Sequence, residues 1–343
     1  MVNTLKKTIA IDGMGGDWAP RSVMGSFSCL SQIVDLSDYH FLIFGDREII
    51  APLESSIPSR VSYEVRHVDG IVTGDMDVSA LRTAKHSSMG LAIQAVKDGE
   101  AVAVVSSGNT GIYFALSKIL LRTIEGIDRP ALAAQIPGRH GSCIFLDLGA
   151  NAECTLKNLL DFAILGEALA RSVYEKQDVK LSLLNIGSEE GKGTPLVKQA
   201  SKVLRSLFPD YCGFAEGNDI CKGEIDVIVT DGFTGNVALK TIEGTARFVT
   251  SELKSALKSD FFAMAGALLA HRALKKIKDR LDPRKYNGAI FLGLNGVVVK
   301  SHGGSDEVGF AHAVRFTIET LRNNMQERVL EQLEKSKNYG GEI

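Results

Sequence analysis

Residues 101–122 read AVAVVSSGNTGIYFALSKILLR. Five apolar residues, Ala101–Val105, run into Ser106-Ser107-Gly108-Asn109-Thr110-Gly111, and a helical pattern follows from Ile112 to Arg122. A short unbroken apolar run predicts a strand covered on both faces, because a strand with one wet face alternates. Asn109 or Thr110 is placed to cap the helix, where a short polar side chain accepts an otherwise unpaired amide. The same rhythm recurs along the chain. Thr8–Ile11 leads into Asp12-Gly13-Met14-Gly15-Gly16-Asp17, His40–Phe44 into Gly45-Asp46-Arg47, and Ser142–Leu146 into Asp147-Leu148-Gly149-Ala150-Asn151. Leu181–Asn185 leads into Ile186-Gly187-Ser188-Glu189-Glu190-Gly191-Lys192-Gly193, and Ile225–Thr230 into Asp231-Gly232-Phe233-Thr234-Gly235-Asn236. Strands alternating with helices predict an α/β protein with a mostly parallel sheet covered on both faces. No repeat or low-complexity linker divides the chain, so residues 1–343 read as one α/β unit. Residues 251–285 stand apart as an inserted helical pair, with Gly266 as a candidate break. Val314, Ile318, Leu321, Met325, Val329 and Leu333 recur at helical spacing and predict an amphipathic C-terminal helix.

Composition narrows the function. The chain has 343 residues, 45% of them hydrophobic, which is ordinary for a folded soluble domain and excludes disorder. A net charge of -2 does not favour nucleic acid as the main partner. The five cysteines, Cys29, Cys143, Cys154, Cys212 and Cys221, form no CxxC pair and no zinc spacing, and they read as reduced and cytosolic. The N-terminus carries no apolar stretch of signal-peptide length. The longest apolar run, Phe261–Ala270, has ten residues, well short of the roughly 20 that cross a bilayer.

Glycine-rich turns that open helices are suited to anions, because backbone amides and the helix dipole both point at the ligand. All six turns are expected at the carboxyl ends of parallel strands, hence on one edge of the sheet. The familiar nucleotide motifs fail. Gly13-Met14-Gly15-Gly16-Asp17 is followed by Trp18 where a dinucleotide fingerprint needs Gly. Gly187 to Thr194 reads GSEEGKGT, with three residues between the glycines and Gly193 after Lys192, so it is not a Walker loop. Neither NAD nor ATP is therefore expected as a cofactor. No HExxH and no GxSxG occurs, and no carboxylate cluster suits magnesium, so no metal and no covalent serine are expected. What remains is an anion pocket built from Asn109, Asn151, Lys192, Asn236, Lys300 and His302. Lys192, between two glycines, suits gripping phosphate as a point charge. Asp12 and Asp231 each end an apolar strand, where they either cap the next helix or orient a proton-bearing ligand.

Taken in order, these pieces resemble the bacterial fatty acyl-acyl carrier protein:phosphate acyltransferases, the PlsX family. The matching stretches are Ile11 to Asp17 with Pro20, Ser87-Ser88-Met89, Ser106 to Gly111, Asp147 to Asn151, Asn185 to Gly193, Asp231 to Asn236, Gly293-Leu294-Asn295-Gly296 and Lys300-Ser301-His302-Gly303. The resemblance implies a Rossmann-like αβα sandwich akin to isocitrate/isopropylmalate dehydrogenase, and a homodimer. It also implies transfer of an acyl group from acyl carrier protein to inorganic phosphate in phospholipid synthesis, with a membrane glycerol-3-phosphate acyltransferase using the product. That chemistry needs no covalent intermediate: phosphate is already an anion, and a thiol with a pKa of about 8.5 leaves readily. Lys192 and the Gly13–Asp17 loop are expected to hold phosphate, with Ser107, Gly108, Thr110, Asn151, Gly235 and Lys300 around it. Asn236 or Asn109 is expected to polarise the acyl carbonyl, and His302 to assist as a donor. A phosphotransacetylase-like enzyme using acyl-coenzyme A is the alternative, and a non-catalytic carrier-binding scaffold is the alternative from another class.

In residues 251–285, Leu257, Phe261, Met264 and Leu268 form one apolar stripe, and Leu274, Ile277 and Leu281 another. His271, Arg272, Lys275, Lys276, Lys278, Arg280, Arg284 and Lys285 add a basic cluster. Carrier proteins and anionic lipid headgroups are both acidic partners for such a surface. A dimer contact is the third reading. The expected location is the cytoplasm, in peripheral contact with the inner face of the membrane.

Overall fold

A computed structural model describes residues 6–76, 78–322 and 325–337. In chain order the elements are β1 (Lys7–Asp12), α1 (Arg21–Ile33), β2 (Tyr39–Gly45), α2 (Arg47–Ile50), β3 (Tyr63–His67), α3 (Leu81–Ala84), α4 (Ser88–Lys97), β4 (Ala103–Ser106) and α5 (Thr110–Leu121). Then come β5 (Ala131–Pro137), β6 (Ser142–Leu146), α6 (Leu156–Tyr174), β7 (Leu181–Leu184), α7 (Pro195–Leu207), β8 (Tyr211–Ala215), β9 (Val227–Val229) and α8 (Gly232–Ala256). The chain continues through α9 (Phe261–Leu269), α10 (His271–Arg280), β10 (Ala289–Leu292), β11 (Val297–Lys300), α11 (Glu307–Arg322) and α12 (Met325–Lys337).

One sheet of 11 strands runs in the order β3-β2-β1-β4-β11-β10-β5-β6-β9-β7-β8. Successive residues of a strand face opposite layers. Ile9 and Ile11 enter the core that also holds Phe27 of α1, Phe162 of α6, Leu204 of α7 and Val314 of α11. Ala10 and Val104 face a second core with Met89 of α4 and Leu116 of α5. Over the other half of the sheet, Phe145 and Ile228 pack beneath Leu239 and Ile242 of α8. The result is the three-layer αβα sandwich, and it explains the unbroken apolar strands: both faces are dry. The C-terminal stripe is core, with Val314, Ile318, Met325, Val329 and Leu333 all buried.

The sheet departs from the sequence reading in one respect that governs the site. β1, β2, β3, β4 and β11 are mutually parallel, and so are β6, β7, β8 and β9. Between the two sets, β10 is antiparallel to β11 and to β5, and β5 is antiparallel to β6. Three reversals in a row turn the second set against the first. The six turns therefore do not share one edge: those after β1, β2 and β4 lie at one edge, those after β6, β7 and β9 at the opposite one.

The inserted segment also differs in detail. The break falls at Ala270, between α9 and α10, and Gly266 lies inside α9. Beyond its first turn α8 carries no buried residue, and neither α9 nor α10 has one. Phe261, Phe262, Leu268 and Leu269 are exposed on α9, beside the exposed Arg272, Lys275, Lys276 and Lys278 of α10. Among the described residues, no helix is long and apolar enough to cross a membrane.

Candidate active site

At the first edge the turns close on Asp12. Its carboxylate accepts the Ser88 hydroxyl at 2.6 Å, the Ser106 hydroxyl at 2.6 Å and the Met14 amide at 3.3 Å. This ties the end of β1 to the start of α4 and the end of β4. Burial pushes the Asp12 carboxyl up from its ordinary value, and those donors pull it back. Asp12 is thus an organiser of three elements, with no side-chain oxygen turned to a ligand. Gly15 is required there, since a Cβ would strike the Asp12 carboxylate. Gly16, at φ +104°, would place a Cβ 2.6 Å from the Ser107 hydroxyl, which itself donates to the Gly15 carbonyl at 2.5 Å.

The Gly13–Asp17 loop, expected to hold phosphate, has most of its amides turned to protein acceptors. The Gly13 amide donates to the Phe44 carbonyl, Met14 and Gly15 donate to Asp12, and Asp17 donates to the Gly303 carbonyl. Four of its five amides are already occupied. The Gly108 amide likewise goes to Ser106. Asn109 caps α5, its Oδ1 accepting the Ile112 amide at 3.1 Å, while its Nδ2 donates to the carbonyls of Gly74 and Met76. Both amide protons are taken, so Asn109 holds the 74–76 loop and has no donor left for an acyl carbonyl. Thr110 opens α5 and is exposed.

Lys300, at the end of β11, lies opposite Ser106 and is only 7% exposed. Its ammonium donates to the Ser301 carbonyl. Burial lowers it to about 8, against the opposing pull of Asp12 and Asp17. His302 is exposed, and its Nδ1 accepts the Gly304 amide at 3.1 Å, which leaves the ring proton on Nε2.

The second edge is organised by Asp147, a hub that the sequence reading did not single out. Its carboxylate accepts the amides of Leu132, Gly149, Ala150 and Asn151, and also the Asn151 side chain, at 2.7–3.1 Å. The nest of amides expected for a ligand is filled by the protein's own carboxylate. The signal was the Asp-Leu-Gly-Ala-Asn run, since aspartate before glycine bonds its own backbone two to four residues on. Asn151 is buried, with Nδ2 shared between Asp147 and the Pro130 carbonyl, so it too is structural. Asp231 caps α8 by accepting the Thr234 amide and hydroxyl, both at 2.8 Å. Gly235 packs so closely on the Asp147 carbonyl that no Cβ fits.

Of the candidate donors at this edge, the Lys192 ammonium and the Asn236 amide are exposed and without a protein partner among the described residues. β7 and β9 are adjacent, with Leu183 opposite Val229, so the turns bearing these residues are neighbours. Asn185 braces the Lys192 turn by donating to the Lys192 carbonyl at 3.2 Å, and Gly193 at φ +91° lets the chain reverse. Asn236 stands just past the first turn of α8, against Gly149. The exposed Ile186 and Phe233 give this edge an apolar lip. The thiol near it is a poor nucleophile: burial pushes Cys154 up to about 11. Among the described residues no group of three or more His, Cys, Asp or Glu side chains is placed to hold a metal ion.

The candidates thus fall into two clusters. Lys300, His302 and Thr110 lie at the edge with Asp12, and Lys192 and Asn236 lie at the edge with Asp147.

An αβα sandwich with polar turns at its strand ends defines an α/β protein that offers its ligand-binding groups beyond those ends. Comparison with known proteins agrees. The family described as "Fatty acid synthesis protein" matches residues 7–328. A protein of Rhodospirillum rubrum called "Phosphate acyltransferase" is 47% identical over 341 residues, covering 98% of this chain and 96% of that protein. One of the same name from Pelagibacter ubique is 42% identical, covering 94% of this chain and 97% of that protein. Among solved structures, a phosphotransacetylase from Streptococcus pyogenes superposes with a TM-score of 0.59 at 16% identity, over 93% of this chain and 96% of that one. A putative 4-hydroxythreonine-4-phosphate dehydrogenase from Salmonella typhimurium gives 0.52 at 12% identity, over 92% and 99%. These last two speak for the fold alone. The chain belongs to the phosphate acyltransferase family and is an acyltransferase.

Proposed function

We propose that the protein transfers an acyl group from the thioester of an acyl carrier protein to inorganic phosphate, at the edge formed by the turns after β7 and β9. The observation that carries this reading is the pair of unpartnered donors there, the Lys192 ammonium and the Asn236 amide, beside an apolar lip. A phosphate oxygen attacks the thioester carbonyl carbon. The carbonyl π pair moves to oxygen, then returns as the C–S bond breaks. The products are acyl phosphate and the carrier thiolate, which takes a proton from solvent. Lys192 holds the attacking anion as a point charge. Asn236 donates to the developing oxyanion. Ile186 and Phe233 border the acyl chain. No nucleophilic side chain is needed, and the raised thiols of Cys143 and Cys154 do not offer one.

The rest of the reading follows from the arm of α8 to α10. The exposed apolar face of α8, with Val237, Phe248, Val249 and Leu253, pairs with that of a second copy to give a homodimer. The apolar end of α9, with the basic α10 beside it, rests on the inner face of the membrane. There the acyl phosphate passes to a membrane glycerol-3-phosphate acyltransferase of phospholipid synthesis.

The test is a donor comparison. The protein is incubated with phosphate and either an acyl-carrier thioester or an acyl-coenzyme A, and acyl phosphate is trapped with hydroxylamine. Hydroxamate formed at a higher kcat/KM from the carrier supports the reading. A preference for coenzyme A favours the phosphotransacetylase-like alternative, and no hydroxamate with either donor leaves a carrier-binding scaffold.

A further inference from the structure

Helix α7 follows the Lys192 turn directly, and its outer face is basic. Ala200 and Leu204 point into the core, while Lys198, Lys202 and Arg205, spaced four and three residues apart, share the opposite side. These three line a concavity of about 410 Å³ whose wall includes Gln199, Ser201 and Phe214.

The charges here are poorly compensated. Lys202 has no partner among the described residues. Lys198 reaches only the Gly191 carbonyl, at 3.4 Å. Arg205 meets Glu190 at 3.3 Å, but both are exposed, Glu190 by 87%, and such a pair is worth little. Against three cations the concavity offers one carboxylate, so it fits an acidic surface with an apolar residue to seat on Phe214. Position singles out the occupant. Lys198 lies six residues beyond Lys192, so a macromolecule seated on α7 presents its thioester arm at the Lys192 turn. The basic face of α10 lacks that adjacency, because α10 packs chiefly on α9 at the end of the long arm that α8 begins.

We propose that the outer face of α7, with Lys198, Lys202 and Arg205 around Phe214, is the docking surface for the acidic acyl carrier protein. This rests on the reading of the reaction given above.

The variant Lys198→Glu/Lys202→Glu/Arg205→Glu tests it, with Lys198→Gln/Lys202→Gln as a milder form should the triple variant fail to fold. The expected result is a KM for the acyl-carrier thioester raised about tenfold or more by the triple change. The phosphate KM and the rate with a short acyl-pantetheine donor stay unchanged. The wild-type carrier KM climbs with salt, and that of the variant does not. The control Lys275→Glu/Lys276→Glu/Lys278→Glu, in α10, leaves the carrier KM in place. An unchanged carrier KM in the α7 variants, or a rise confined to the α10 variant, overturns the assignment. Direct calorimetry of the unacylated carrier separates the two claims. Wild-type binding lost in the α7 variants upholds the surface even if no acyl phosphate forms, and binding that persists in them refutes it.

Discussion

Replacing Lys300 by Met should make the protein more stable, and less so as the pH rises. Lys300 is 7% exposed, and its ammonium has one acceptor, the Ser301 carbonyl. Burial lowers it from 10.5 to about 8. A lysine whose folded value lies below its unfolded one is a charge that the folded state holds at a cost. Below pH 8 both states are protonated and the cost is complete. Between pH 8 and 10.5 the folded state sheds its proton first, and the cost fades. At about 1.4 kcal/mol per pH unit, the cost at neutral pH is about 3 kcal/mol. Methionine keeps most of the stem, removes the charge and forfeits one hydrogen bond of about 1 kcal/mol. The net gain is about 2 kcal/mol, or about 3 °C in Tm for a chain of this length. The assay is a pair of calorimetric or denaturant series at pH 7, 8, 9 and 10, read as the difference between variant and wild type. That difference should be largest at pH 7 and should shrink toward zero by pH 10. A variant that melts below wild type at pH 7, or a difference that does not change with pH, refutes the reasoning.

Three further outcomes follow from the same contacts. Asn109→Ala removes a helix cap and the hold on the 74–76 loop, so it should cost about 1–2 kcal/mol in denaturant unfolding, with a kcat loss far smaller than that of Asn236→Ala. Asp147→Asn puts a neutral amide where five N–H groups converge and should destabilise by roughly 3 kcal/mol, seen as a lower midpoint in urea. Iodoacetamide at pH 7 should alkylate the exposed Cys212 and Cys221 and spare Cys143, whose thiol burial raises to about 12, with peptide mapping as the readout.

The layers of the fold were legible because burial on both faces leaves a plain mark, the unbroken apolar run, and because Ser87, Asn109 and Asp231 cap their helices as their positions suggest. The reversal of the sheet was harder to see. A short buried strand such as Ala289–Leu292 reads the same whether its neighbours run with it or against it. The decisive signal was the length of two connections. Only residues 138–141 join β5 to β6, and only 293–296 join β10 to β11. Four residues can close a hairpin but cannot carry a chain back for parallel pairing. The site was partly legible for a different reason. Residue type marked Lys192 and Asn236 as candidate donors, and both side chains are exposed. It could not show that Asp12, Asn109 and Asn151 are committed to protein partners, because that depends on what folding brings beside them. Glycine misled in the same way: at Gly15 and Gly235 its absence of Cβ serves chain packing, not room for an anion.

The central claim is that chemistry takes place at the edge that carries Lys192 and Asn236, and steady-state kinetics of Lys192→Ala and Asn236→Ala with acyl-carrier thioester and varied phosphate test it most directly. The account predicts that Lys192→Ala raises the phosphate KM at least about tenfold, and that Asn236→Ala lowers kcat about 100-fold with little change in KM. Both variants should melt like wild type, since neither side chain has a protein partner among the described residues. Near-normal turnover in both, with activity abolished instead by Thr110→Ala or His302→Ala, would place the reaction at the opposite edge of the sheet and contradict the account.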